Sequence, residues 1–233
     1  MGELTPFPTD WQQALVIVAH PDDVEWGAAA AVAAWTDEGK QVAYLLVTRG
    51  EAGIAGLAPA ETGPLREAEE LASAGMVGVS DVTFLDHPDG RVLEGLSLRR
   101  DLAAAIRRVR PDLVVTLNPY DRWGSGPGAG WNSADHRAVG RAALDAVGDA
   151  GNEWIFPDLG GQVWSTRMVA VSGSPQPTHA VDVDGQHERA VASLSSHRAY
   201  LTALDPATEP EVAARRLVEQ SLGTPARVAF ELL

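Results

Sequence analysis

The chain has no cysteine among its 233 residues, which excludes a disulfide framework and any thiolate metal site, so a bound metal would be held by imidazole and carboxylate. Basic side chains are scarce: 18 Lys and Arg stand against 32 Asp and Glu, a formal net charge of −14. That balance repels phosphate backbones and anionic bilayers, and nucleic acid is not an expected partner. No apolar run reaches the roughly 20 residues needed to span a bilayer. Residues 1–13 lack the basic and apolar regions of a secretion signal. The expectation is therefore a cytoplasmic protein with no membrane span.

What the chain does have is a regular alternation. Short apolar, β-branched runs at 14–19, 42–48, 82–85 and 113–117 are separated by helical patterns at 24–38, 65–76 and 98–109. This predicts a single α/β domain over 1–233, with a Rossmann-like, mostly parallel sheet and helices on both faces. Further helices are predicted at 135–147, 186–203 and 210–220, strands at 168–171 and 179–183, and an edge strand at 227–232. The glycine-rich segments 49–63 and 121–132 each follow a strand's carboxyl end, the edge where open α/β sheets bind ligands. Both are expected to wall a site. Trp26 and Trp35 read as core residues.

The first strand runs into Ala19-His20-Pro21-Asp22-Asp23-Val24-Glu25, which puts an imidazole and two carboxylates at that edge. A turn from 20 to 23 brings His20 and Asp23 onto one ion and leaves Asp22 free. A catalytic zinc site needs a third protein ligand and an open position for water, and His136 of Ser133-Ala134-Asp135-His136, at another loop-to-helix junction, supplies that ligand. Zinc lowers the pKa of water, and a nearby carboxylate takes the proton, which is the role that suits Asp22. Taken singly, His20 reads as a turn histidine, Asp22 and Asp23 as helix caps, and His136 as a surface residue behind an N-cap at Ser133 or Asn132. Their convergence at strand-end loops favours the metal.

These residues resemble the N-acetylglucosaminylphosphatidylinositol de-N-acetylase, or LmbE-like, family of zinc amidohydrolases. The family's first motif, Ala-His-Pro-Asp-Asp-x-Glu-x-Gly, is intact as residues 19–27. Thr48-Arg49-Gly50-Glu51, the helix opening at Arg66, and Phe84-Leu85-Asp86-His87-Pro88-Asp89-Gly90 follow in family-like order. The resemblance implies one Zn2+ per chain on His20, Asp23 and His136, another divalent metal being an alternative. It further implies Asp22 as general base and Arg66 as a substrate-binding residue. The implied substrate is a small N-acylated amino sugar or its conjugate, whose amide is hydrolysed to a carboxylate and a free amine.

One departure matters. Many members carry His-Pro-Asp-His where this chain has Ser133-Ala134-Asp135-His136, so neutral Ser133, a candidate substrate contact, stands where an imidazole is usual. His197, in a stretch similar to a C-terminal histidine motif of the family, is the candidate replacement acid, and Asp135 is a further candidate catalytic residue. The loop at 121–132 is a candidate lid, with Trp123 or Trp131 stacking on a sugar ring. Two other readings stay open: an amidase of a mycothiol-type sugar conjugate, and a metal- or ligand-binding member without turnover. Dinucleotide redox chemistry is disfavoured, because His20-Pro21-Asp22-Asp23 occupies the place of a Gly-x-Gly-x-x-Gly turn. A homo-oligomer is also open.

Overall fold

The structure is a computed structural model that describes residues 4–124, 129–222 and 224–233. In chain order the elements are β1 (Thr5–Pro6), β2 (Gln13–Val18), α1 (Asp23–Gly27), α2 (Ala29–Asp37), β3 (Gln41–Leu46), α3 (Pro59–Met76), β4 (Asp81–Phe84), α4 (Leu96–Val109) and β5 (Leu113–Leu117). After these come α5 (Ala134–Ala150), a 3-10 turn (Pro157–Leu159), β6 (Met168–Ser172), β7 (His179–Asp182), α6 (His187–Ser195), α7 (Arg198–Leu204), α8 (Pro210–Leu222) and β8 (Arg227–Leu232).

Strand order in the sheet is β1-β7-β8-β6-β5-β2-β3-β4. The five strands from β4 to β6 are mutually parallel, and β8 runs antiparallel to both β6 and β7. Continuous apolar runs such as Ala14 to Val18, buried throughout, are what a parallel strand covered on both faces requires. On one side α4 packs on α5; on the other α2, α3 and α8 pack on α6. In α4, Leu98, Leu102, Ile106 and Val109 recur at helical spacing on the buried face. Trp35 is in the core as expected, stacked on Phe230 with ring centroids 5.8 Å apart.

From β2 the chain proceeds outward to β3 and β4, then crosses back to place β5 on the other side of β2. The crevice between the carboxyl ends of β2 and β5 is therefore a topological switch point, where open α/β sheets bind ligands.

Three expectations are corrected. The strand at 227–232 is not an edge: Val228 and Phe230 are buried, and β8 pairs on both sides, leaving β1 and β4 as the edges. The helix expected over 24–38 is broken at Ala28, whose backbone (φ −131, ψ −10) is not helical; beside the break Gly27 lies so close to Ser172 of β6 that a Cβ there would be 2.6 Å from Ser172 Oγ. The helix expected over 186–203 breaks at His197 (ψ 55) and yields α6 and α7.

The close crossing of α5 over the end of β5 makes a prediction. A Cβ on Gly140 would stand 2.6 Å from the Leu117 carbonyl oxygen and 3.1 Å from Pro119 backbone atoms, none of which can swing away. Gly140→Ala is expected to lower stability by about 1–3 kcal/mol despite alanine's better helix propensity, a loss that urea unfolding would read directly.

Candidate active site

The turn after β2 is wound around its own carboxylates. Asp23 opens α1, and its Oδ2 reaches back to accept the Ala19 and His20 backbone N–H groups at 3.0 and 2.7 Å. Its Oδ1 lies 2.9 Å from His136 Nε2, at the start of α5. His20 Nδ1 is 3.4 Å from Asp23, and its Nε2 is 3.2 Å from both Asp89 and Asp135. Burial opposes charging of the His20 ring, but Asp23, Asp135 and Asp89 outweigh it and hold its pKa well above the usual imidazole value. Burial likewise opposes ionisation of Asp23, yet His136 and His20 keep its carboxyl far below the ordinary range.

Ligand atoms of His20, Asp23 and His136 lie within 4.8 Å of one another. Two imidazoles and a carboxylate, without thiolate, are a donor set suited to zinc with an open position for water. A second grouping, His20 with Asp89 and Asp135, offers one imidazole where the first offers two, and both oxygens of Asp135 already accept backbone N–H groups; a third, Glu25, Glu70 and His197, is fully buried. Asp135 accepts from Gly90 N (2.7 Å) and Val92 N (3.1 Å), and Asp89 accepts from Ala52 N (2.8 Å). The first set is therefore the one that fits the ion, with Asp89 and Asp135 orienting His20 behind it.

Asp22 is held differently. Its backbone is left-handed (φ 95), a conformation that costs a non-glycine residue free energy and persists only when its surroundings enforce it. They do so here: its N–H donates to Glu70 Oε2 (3.2 Å), and Arg66 Nη2 donates to its Oδ1 (2.9 Å) and to the neighbouring Pro21 carbonyl. Buried Arg66 also donates to Gly50 O (3.2 Å) and lies over the Tyr200 ring at 4.1 Å. At Gly50 and Gly53 a Cβ would collide with that guanidinium, so these two glycines form the socket of Arg66. Burial, only partly offset by Arg66, raises the pKa of Asp22 above the usual carboxylate value.

The profile of the PIG-L family, GlcNAc-PI de-N-acetylase, matches residues 15–147. The chain belongs to this family. PIG-L relatives include the diacetylchitobiose deacetylase of Thermococcus kodakarensis, 29% identical over 197 residues that cover 82% of this chain and 71% of that protein. The 1D-myo-inositol 2-acetamido-2-deoxy-alpha-D-glucopyranoside deacetylase of Streptomyces avermitilis is 30% identical over 190 residues, 70% of this chain. The match spans 62% of that protein's own length. The fold is shared with the N,N'-diacetylchitobiose deacetylase of Pyrococcus horikoshii: TM-score 0.82 at 23% identity, over 96% of this chain and 84% of that one.

The PIG-L motif residues meet on a cavity of about 660 Å3, lined by His20, Asp22, Asp23, Arg66, Ser133 and His136 together with Trp26, Trp123, Ser172 and Tyr200. Its size lies within the range of small-molecule sites, about 300–1,000 Å3. Ser133 is the N-cap of α5: its Oγ accepts the His136 N–H at 3.1 Å while its own proton is left to donate. Ser133→Ala is expected to cost about 1 kcal/mol through loss of the cap, seen as a Tm lower by roughly 2–4 °C.

Three expected site residues do not line the cavity. His197 is completely buried, its Nε2 3.5 Å from Glu25 and 3.7 Å from Glu70. It lies against the buried carboxylates behind Asp22 and is not among the residues that line the cavity. Burial first, and then Glu25, hold the Glu70 carboxyl well above the usual range. Asp135 is occupied by the 90–92 amides and His20, as described. Trp131 is 64% exposed and faces the guanidiniums of Arg137 and Arg122, because its bridge with Arg122 turns it outward. Trp123 is the loop tryptophan that lines the cavity, packed on Gly173 and set edge-on to His136 with centroids 5.5 Å apart. Residues 125–128 of the expected lid lie outside the described residues.

Sequence reasoning missed three cavity or support elements. Trp26 stands on the cavity wall rather than in the core; Tyr200 backs Arg66; and Ser73 and Ser193 bind Glu25 Oε1 at 2.6 and 3.2 Å. The available signal was polar residues, Glu69, Glu70 and Ser73, on the buried face of α3.

Proposed function

We propose that the chain hydrolyses the amide of an N-acylated amino sugar or its conjugate, with one divalent metal ion, zinc, held by His20, Asp23 and His136. The observation that carries this reading is the juxtaposition of that ligand set with an adjacent, separately anchored carboxylate, Asp22, on one cavity at the sheet's switch point. Bound there, the metal supplies Lewis acidity toward the acyl oxygen and makes water more acidic.

Asp22 takes the proton of the water that attacks the acyl carbon. Its raised pKa brings it closer to the operating pH, which suits a group that must first accept a proton and later release it. The same proton passes from Asp22 to the departing amine nitrogen, and the second proton of the water, left on the product carboxyl, passes to that amine, so the cycle closes with carboxylate and ammonium as products and no second titrating acid. Arg66 fixes the Asp22 carboxylate, and the Ser133 hydroxyl donates toward the acyl oxygen. The exposed face of Trp123 offers an aromatic platform for a sugar ring.

Amine release from N-acetylglucosamine conjugates, measured beside analogues with larger acyl groups, tests the reading. Release from the acetylated compounds supports de-N-acetylation. Release from the larger acyl conjugates alone shifts the assignment to a mycothiol-type amidase. Metal binding with no amine released from any amide contradicts the hydrolase reading and leaves a binding protein.

A further inference from the structure

Trp26 occupies a variable position of the first motif, on the short helix α1 that Asp22 precedes as N-cap, and the Trp26 N–H closes that turn on the Asp22 carbonyl at 3.1 Å. The indole is 42% exposed, unusual for a tryptophan in so alanine-rich a segment, and it lines the cavity. Its Nε1–H donates to Asp22 Oδ2 at 2.9 Å. Arg66 Nη2 holds the other oxygen, Oδ1, at 2.9 Å, and the further hydrogen bonds of that guanidinium go to the Pro21 and Gly50 carbonyls.

We propose that Trp26 is a positioning residue for the base: its indole N–H clamps the second oxygen of Asp22 and so fixes the plane of the carboxylate. The terminal torsion of an aspartate is broad and roughly two-fold, so one hydrogen bond leaves it free to swing. Two bonds on different oxygens stop that rotation and leave each oxygen with a lone pair for the water proton. A neutral donor orients without adding a second positive charge that would suppress the carboxylate's basicity, as a lysine or arginine at position 26 would. The inference rests on the reading of Asp22 as general base, but the hydrogen bond can be tested apart from any activity.

The test uses the full chain. With seven tryptophans, the protein has seven side-chain indole N–H resonances, and Trp26→Phe identifies one of them by its loss. In Asp22→Ala that resonance is expected to move upfield, as an indole released from a carboxylate does, while the other six stay near their places. In the zinc-loaded enzyme Trp26→Phe, which keeps an aromatic ring and loses only the donor, is expected to lower kcat about tenfold with KM changed less than about twofold, the worth of one hydrogen bond to a charged group. An unmoved Trp26 resonance in Asp22→Ala, or a wild-type kcat in Trp26→Phe, overturns the proposal. A wild type that releases no amine refutes the hydrolase reading instead, and the resonance then decides the clamp alone.

Discussion

Asp22→Asn is expected to lower amine release by about a hundred- to ten-thousand-fold while the protein still binds about one zinc per chain. Asparagine is the informative substitution because it tolerates the left-handed backbone at this position, φ 95, and keeps an oxygen for Arg66 or the Trp26 indole. It removes the charge and the basic lone pairs and exchanges one of the two accepting oxygens for an amide nitrogen. Both substitutions leave the buried Arg66 guanidinium without its anion, but alanine also offers it no oxygen and is strained at this left-handed backbone, so a folding defect would blur the reading. Since Asp22 contributes no atom to the ligand set, metal content by mass spectrometry should match the wild type. Loss of zinc together with activity in Asp22→Asn would make Asp22 a ligand and not the base.

His136→Ala is expected to give the complementary result, with metal and activity lost together. Changes to groups that merely orient a ligand already cost about 10- to 100-fold in metal affinity. Removal of one of three ligands should therefore exceed about 100-fold, measured by competition with a chelating dye. The fold itself should survive, because the α5 cap at Ser133 accepts a backbone N–H that alanine retains, and His136 is only partly buried. The contrast between the two variants separates binding of the metal from movement of the proton. Retention of zinc by His136→Ala would transfer the ligand role to the competing group of His20, Asp89 and Asp135.

The frame of the fold and the front of the site were legible for the same reason. Fully buried parallel strands need unbroken apolar runs, and the runs at β2, β3 and β5 end abruptly in polar loops. The adjacent Asp22 and Asp23 mark where such a loop faces the cavity. The back of the site was hidden because it depends on breaks. Reading 186–203 as one helix leaves His197 solvated on its surface, whereas the break at His197 buries the ring against Glu25 and Glu70. Trp26 was hidden because an indole among alanines looks like core filling. Its exposure on the cavity wall and its hydrogen bond to Asp22, four residues earlier, show otherwise. The position of β8 was also beyond a local reading, since strand order is set by which edge the returning chain finds free.

The most direct test of the central claim is amine release from an N-acetylglucosamine conjugate by the wild-type protein, before chelation, after chelation and after zinc is returned. The account predicts release that vanishes with the metal and recovers when about one equivalent per chain is restored. Release that persists in fully chelated protein, or a protein that takes up no divalent metal when supplied with it, would contradict the assignment of His20, Asp23 and His136 as the ligands that make this site a hydrolase.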